Sequence, residues 1–257
     1  MSVNLSQFGL VEVLRCATGF RSALRDAPTM ETAATRACRF LYDELVGPDH
    51  TRACALVRCY KTHAYNGLDA DVQRFANGFL EPSTRPRPEM KCLTLLATVG
   101  DEPAWNDRRA SRGHLAIPLL SPQMIESAPM VAQLIRQFGL QLTDVVQPSP
   151  NVMRDLEGKT YGVFHIQDAQ GSPYIPAQKE FVEPHRISSV VGFGGSLKSG
   201  DLFAIILFSR VPIDVAAAER FRSLALDVKA HFFRFDALHI FDPTARANLS
   251  ASPSESR

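Results

Sequence analysis

The sequence predicts an α+β domain, in which a central antiparallel sheet is flanked by helices and preceded by a helical extension. Residues 5–24 carry apolar side chains at helical spacing, which is typical of an amphipathic helix. Residues 187–193 and 202–208 are apolar runs of strand length joined by a glycine-containing turn, which predicts a β-hairpin. Residues 221–232 then repeat apolar side chains at i, i+3, i+4, i+7 and i+11, which predicts a long closing helix.

The chain divides into three parts by pattern. Residues 1–50 read as an extension of two helices, separated by a break at Pro28. Residues 51–241 contain the predicted strands and the closing helix, and form the main domain. Residues 242–257 are small and polar, so we expect a disordered tail.

Three further strands precede the hairpin. Residues 53–60, 91–100 and 159–168 are apolar or alternating runs bounded by turn-forming residues. The second hairpin strand, 202–208, is apolar on both faces, which is typical of a central strand covered on each side. One face then needs helices, and the other needs a cover or a pocket.

Composition and charge exclude several classes of protein. The net charge of +1 gives no electrostatic reason to expect nucleic-acid or anionic membrane partners. No window approaches the roughly 20 apolar residues that span a bilayer. The first ten residues lack the basic start and apolar run of a signal peptide, so we expect a cytoplasmic protein.

Five cysteines occur without a CxxC pair, which favours reduced thiols. Cys54 and Cys59 are five residues apart in a predicted strand, so we expect them on opposite faces and unable to share a metal. We find no HExxH, GxSxG or paired-acid motif. The sequence therefore leaves catalysis uncertain and favours a non-enzymatic role, with no metal site assigned.

Three glycines at 192, 194 and 195 raise the question of a phosphate-binding loop. A dinucleotide loop needs a third glycine where Leu197 stands, and a helix must follow it. A turn and another strand follow instead. We therefore expect a hairpin turn at Ser199-Gly200 and a bulge or close backbone approach at the earlier glycines.

The terminal hairpin followed by an amphipathic helix resembles the end of a GAF domain, a small-molecule sensor module, and the resemblance extends over residues 51–233. It implies a central antiparallel sheet with helices on one face and a ligand pocket on the other. The stretch "SPYIPAQKEFV", residues 172–182, is similar to a pocket-lining segment of phytochrome GAF domains. Tyr174 stands where those domains have an aspartate, which argues against a bilin chromophore.

Candidate ligand-binding residues come from four segments. The strand at 159–168 contributes His165, the 172–182 segment contributes two residues, the hairpin contributes one, and the polar loop 105–114 contributes an aromatic ring and an imidazole. In full, the candidates are His165, Tyr174, Ile175, Phe193, Trp105 and His114. His165 reads either as a structural histidine or as a ligand-binding one, and haem ligation there is one interpretation. The cofactor itself stays open.

The arginines of the loop 105–114 have two interpretations. Arg108, Arg109 and Arg112 can bind an anion through bidentate contacts, or they can form a solvated surface loop.

The resemblance implies a sensory or regulatory domain that binds a cytoplasmic small molecule and relays binding through helix packing. It also implies a homodimer and an output partner such as a histidine kinase. The alternatives are a ligand-free dimerisation or interaction module, and a thiol-dependent GAF enzyme.

Overall fold

The structure is a computed structural model and describes residues 2–111, 114–147, 161–235 and 240–241. The helices are α1 (Leu10–Leu24), α2 (Met30–Glu44), α3 (Ala70–Asn77), α4 (Pro122–Glu126), α5 (Pro129–Gln137), α6 (Leu142–Val146) and α7 (Val215–Phe232). The strands are β1 (Val3–Asn4), β2 (Leu45–Val46), β3 (Cys54–Ala64), β4 (Lys91–Gly100), β5 (Ala116–Pro118), β6 (Tyr161–Ile166), β7 (Ser189–Ser196) and β8 (Leu202–Ser209).

Six strands form one antiparallel sheet in the order β5-β4-β3-β8-β7-β6. The last strand of the chain therefore lies at the centre, beside the first long strand. β1 and β2 form a separate two-residue parallel pair. The predicted α+β class, with a central antiparallel sheet flanked by helices, is confirmed.

Helices α1, α2 and α7 cover one face of the sheet, called the helix face below. α2 packs on β3 and β4, and α7 packs on β6 and β7. Ring pairs join α7 to the sheet: Phe193 and Phe221 lie 5.6 Å apart, and Phe203 and Phe232 lie 5.3 Å apart. α1 and α2 share this core with the sheet. The boundary at residue 50 stays a prediction, and the tail 242–257 falls outside the described residues.

The hairpin of β7 and β8 has the expected turn. Gly200 has a φ of +77°, the left-handed conformation that glycine adopts without strain. A Cβ at Gly194 would lie 2.0 Å from the carbonyl oxygen of Phe203, so only glycine fits against the neighbouring strand. The glycines therefore shape the hairpin rather than a phosphate loop.

A bulge corrects the expected placement of the cysteines. The pairing of β3 with β8 shifts between Cys54 and Leu56, so Ala55 and Leu56 both join the core on the other face. Cys54 and Cys59 consequently both pack on the helix face, rather than on opposite faces.

A buried ionic cluster closes the end of the sheet at the turn between β7 and β8. Lys61, which is fully buried, donates to Asp201 Oδ2 at 2.6 Å, and Lys91 donates to Asp201 Oδ1 at 2.5 Å. Burial alone would raise the pKa of Asp201, but the two lysines lower it below its usual range. The cluster thus satisfies a buried lysine with a carboxylate that stays ionised.

No helix among the described residues combines the length and apolar character needed to cross a bilayer.

His63 makes the stability of this end depend on pH. Burial, with the Lys61 cation beside it, lowers the pKa of His63 to about 3. An unfolded histidine titrates near about 6.5, so below that pH the unfolded chain binds a proton that the folded chain excludes. The free energy of unfolding therefore falls as the pH drops from neutrality towards the folded pKa.

We expect the free energy of unfolding to fall by about 2 kcal/mol when the pH is lowered from 7 to 5, because of His63. In His63→Phe, the change in the free energy of unfolding between these pH values, measured with urea, should be smaller by about that amount. The reason is that phenylalanine has no group that titrates. His50→Asn is the matched control, since His50 is exposed and has a φ of +62°, which asparagine tolerates. An equal pH dependence in wild type and His63→Phe would contradict this assignment.

Candidate functional site

A cavity of about 700 Å³ lies on the opposite sheet face, beneath α4, α5 and the segment 172–182, which ends in a π-helical turn at Gln178–Val182. Its floor is formed by alternate residues of the two central strands. These are Leu56, Arg58 and Tyr60 of β3, and Ile206 and Phe208 of β8. The volume lies within the range of small-molecule sites in proteins.

Two walls of the cavity are apolar. One is an aromatic cluster, in which Phe181 lies 5.6 Å from Trp105 and 4.9 Å from Phe208, both in edge-to-face geometry. The other is built by α4, α5 and the turn between them. Its apolar lining residues are Met124, Ala128, Pro129, Met130, Val131 and Leu134. Such a surface fits an apolar body better than a polar one.

The segment 172–182 forms the lid of the cavity, and Gln178 fixes its path. The amide Nε2 of Gln178 donates to the carbonyl oxygens of Ile175 and Ala169 at 2.7 and 3.1 Å, and its Oε1 accepts from the Gly171 amide at 2.8 Å. One side chain thus satisfies three backbone groups of a loop that has no sheet partners. The sequence similarity noted for this segment falls on residues that line the cavity.

Two basic side chains, Arg58 and His114, line the cavity. Arg58 is partly buried, and its Nη1 donates to the Tyr60 hydroxyl at 3.4 Å. His114 reaches the rim, where its backbone has a φ of +58°. The protein atoms around His114 displace water, and this desolvation lowers the pKa of the imidazole. The Arg58 cation lowers that pKa further. The imidazole is therefore neutral at physiological pH.

Four of the six candidate residues line this cavity. Trp105 and His114 come from the polar loop, and Tyr174 and Ile175 come from the lid. The fold brings these segments together although they lie 60 or more positions apart in the chain. Whether they bind a ligand stays a prediction.

The expectation that His165 and Phe193 reach the pocket is corrected. Both side chains lie on the helix face. His165 Nε2 donates to the carbonyl oxygen of Ile213 at 2.9 Å, and Phe193 packs on Phe221. Alternation along β6 places Phe164 and Ile166 on the cavity side, so His165 must point the other way. His165 is thus a structural histidine, and the placement does not fit haem ligation from it within the cavity.

The arginines of the loop 105–114 have a partner inside the protein. Arg108 Nε donates to Glu31 Oε1 at 2.7 Å, and Arg109 lies 3.3 Å from the same carboxylate. These two guanidinium groups therefore hold the loop against α2, and their anionic partner is Glu31 rather than a ligand. Arg112 lies outside the described residues.

The thiols are poor nucleophiles in this structure. All five cysteines are buried. Burial raises the pKa of Cys54 and of Cys92 to about 12, and it raises that of Cys59 as well. Because the thiolate is the reactive form, nothing in these surroundings supports thiol chemistry at neutral pH.

Sequence reasoning missed Arg58. It stands in the strand "ACALVRCY", residues 53–60, where it is the only charged residue. A charged side chain in a central apolar strand is unusual, and it could have marked Arg58 as a candidate site residue. Alternation places it on the same face as Leu56 and Tyr60.

The sheet order, the helices on one face and the cavity on the other together match the arrangement that the sequence resemblance implies. The fold is GAF-like. This description rests on the topology of the chain itself.

No protein-family model and no curated protein matches the chain. Among the solved structures that are similar to it, three match over nearly its whole length. The GAF domain of a phosphoenolpyruvate-protein phosphotransferase from Coxiella burnetii has 13% identity and a TM-score of 0.44, covering 93% of this chain and 96% of that one. A phycoerythrobilin-bound GAF domain from a cyanobacterial phytochrome has 11% identity and a TM-score of 0.42, covering 91% and 97%.

The third is an N-acylhomoserine lactone-dependent transcription factor of the LuxR family, CepR2 from Burkholderia cenocepacia. It has 14% identity and a TM-score of 0.37, covering 95% of this chain and 99% of that one. At these identities and scores, no statement about the function of this chain rests on the three structures.

Proposed function

We propose that this chain is a sensory or regulatory domain that binds an apolar small molecule in the cavity beneath the lid. The observation that carries the proposal is the cavity itself, about 700 Å³ of space beside a closely packed core. A module that only dimerises has no need of such a space, and packing density in protein interiors normally leaves few voids. The aromatic and thioether lining supports an apolar ligand.

Only the sheet separates the cavity from the helices of the helix face. Ile206 lines the cavity, and its neighbour Ile205 belongs to the helix-face core. Phe203, further along the same strand, packs on Phe232 of α7. A ligand that binds one arrangement of the sheet better than another would therefore shift the position of α7.

We further propose that α1 and α7 carry this change to a second copy of the chain. The two helices run side by side, since Phe8 stacks on Phe221 at 4.5 Å and Arg21 lies 3.2 Å from Asp227. Between these contacts, Leu14 and Leu226 are 68% and 52% exposed. Exposed leucines on adjacent helices support a dimer interface, with a histidine kinase or another signalling protein as the output.

Filling the cavity should abolish binding of a neutral apolar probe. We expect Ala128→Phe to weaken the binding of N-phenyl-1-naphthylamine by at least about tenfold, because the added ring occupies the space. Dye fluorescence, titrated with the full chain, measures the change. Ala70→Phe, at an exposed position of α3, is the matched control. Equal dye affinity of wild type and Ala128→Phe would contradict the proposed binding site.

A charge on the outer face of α1 should separate the subunits. We expect Leu14→Glu to raise the dimer dissociation constant by about tenfold or more, because the carboxylate would have to be buried in an apolar contact. Sedimentation velocity of the full chain measures it, with Ala70→Glu as the control. A wild-type chain that is monomeric at all concentrations would refute the dimer.

A further inference from the structure

Arg58 is an isolated charge in an apolar cavity. Among the described residues that line the cavity, it alone carries a permanent charge, and none is an Asp or Glu. It stands at the middle of β3, paired with Thr98 on β4 and with Ile206 on β8. The guanidinium is therefore held on the cavity floor, with a partner strand on each side.

The polar atoms around Arg58 lack partners. Within the described part of the chain, Arg58 Nε is buried and has no hydrogen-bond acceptor. Thr98 Oγ1 is likewise buried without a partner, and cross-strand pairing places Thr98 on the same sheet face as Arg58. The hydrogen bond to Tyr60, at 3.4 Å, is long.

Arg58 is partly buried, and two cations that are buried more completely are neutralised internally. Arg108 has the Glu31 carboxylate at 2.7 Å, and Lys61 has the Asp201 carboxylate at 2.6 Å. Buried charges are normally paired, because an unpaired one loses its hydration without compensation. Arg58 departs from this pattern at the one place where a ligand would supply the missing anion.

We propose that the ligand is an apolar molecule bearing a single carboxylate, and that this carboxylate pairs with Arg58 on the cavity floor. The inference rests on the proposed function, because it requires that the cavity bind a ligand. The guanidinium fork matches a carboxylate in bidentate geometry, and Tyr60, which also lines the cavity, offers a hydroxyl beside it. The apolar body then lies against the methionines of α4 and α5 and the aromatic wall.

The charge balance favours a carboxylate over a phosphate. A phosphate monoester carries about −1.5 to −2 charges at neutral pH, and it needs more than one cation when buried. Arg58 supplies one positive charge, and neutral His114 adds none. A monoanion therefore leaves the site neutral, whereas a phosphate leaves a buried negative charge.

The test uses octanoate and octan-1-ol, which share a chain and differ in charge. Trp105, the only tryptophan of the chain, lines the cavity, so its fluorescence reports binding directly. We expect wild type to bind octanoate at least about tenfold more tightly than octan-1-ol. Arg58→Met should weaken octanoate binding by about tenfold or more and leave octan-1-ol binding within about twofold.

Two further variants complete the experiment. Arg58→Lys keeps the charge but loses the fork, so its affinity for octanoate should fall between those of wild type and Arg58→Met. Arg74→Met removes an exposed arginine of α3, 77% accessible and paired with Asp71, and should behave as wild type. Urea unfolding of each variant checks that the fold is kept.

The outcomes separate this inference from the proposed function. If octan-1-ol binds as tightly as octanoate, and Arg58→Met changes neither, the carboxylate inference is overturned while the cavity remains a binding site. If neither compound changes Trp105 fluorescence and N-phenyl-1-naphthylamine does not bind either, the proposed function itself fails. A preference for octanoate that disappears in Arg58→Met supports both.

Discussion

Strand β8 is buried along its whole length and apolar on both faces, so each face of the sheet must be covered by other parts of the chain. This constraint governs the rest of the structure. Apolar area left in water costs roughly 25 cal/mol for every Å², so neither face can stay open. α1, α2 and α7 cover one face with continuous packing. Short helices and an irregular lid cover the other, and they enclose a space that side chains do not fill.

The two faces therefore have different physical roles. The helix face holds the phenylalanine pairs that join α7 to the sheet. At the hairpin-turn end of the sheet, the ionic cluster around Asp201 pairs each of its charges with an opposite one. Three side-chain polar atoms of the described residues are buried without partners: Arg58 Nε and Thr98 Oγ1 on the cavity face, and His63 Nε2 beside the ionic cluster. A buried polar group without a partner costs about 1–3 kcal/mol, which a folded chain tolerates best where binding recovers it. Binding at the cavity is therefore where the free energy lost at Arg58 can be recovered.

Much of this organisation could be predicted from the sequence, because the signals were local. The hairpin around Gly200 and the closing helix depend on turn chemistry and periodicity within short windows. Tyr174 of the lid was identified through the resemblance of residues 172–182 to a known segment. Alternation along a strand separates its residues into two sets but does not say which set faces the cavity. His165 of β6 and Phe193 of β7 were therefore expected in the pocket, although both lie on the helix face. That choice depends on where α7 packs, which is a tertiary property.

Other features are invisible without the fold. Arg108 meets Glu31 across 77 positions of sequence, so no local pattern distinguishes it from an anion-binding arginine. The bulge beside Cys54 reverses the alternation on which the cysteine placement relied. Arg58 matters because its buried Nε has no hydrogen-bond acceptor. The sequence alone does not show whether a polar group finds a partner.

The central claim is that the cavity face accepts a ligand while the helix face stays packed. Amide hydrogen exchange of the full chain, with and without saturating octanoate, tests it most directly. We predict slower exchange in the lid, residues 172–182, and in α4 and α5, with a smaller change in α7 and little change in the buried strands β3 and β8. Unchanged exchange in the lid and in α4 and α5 would contradict the account.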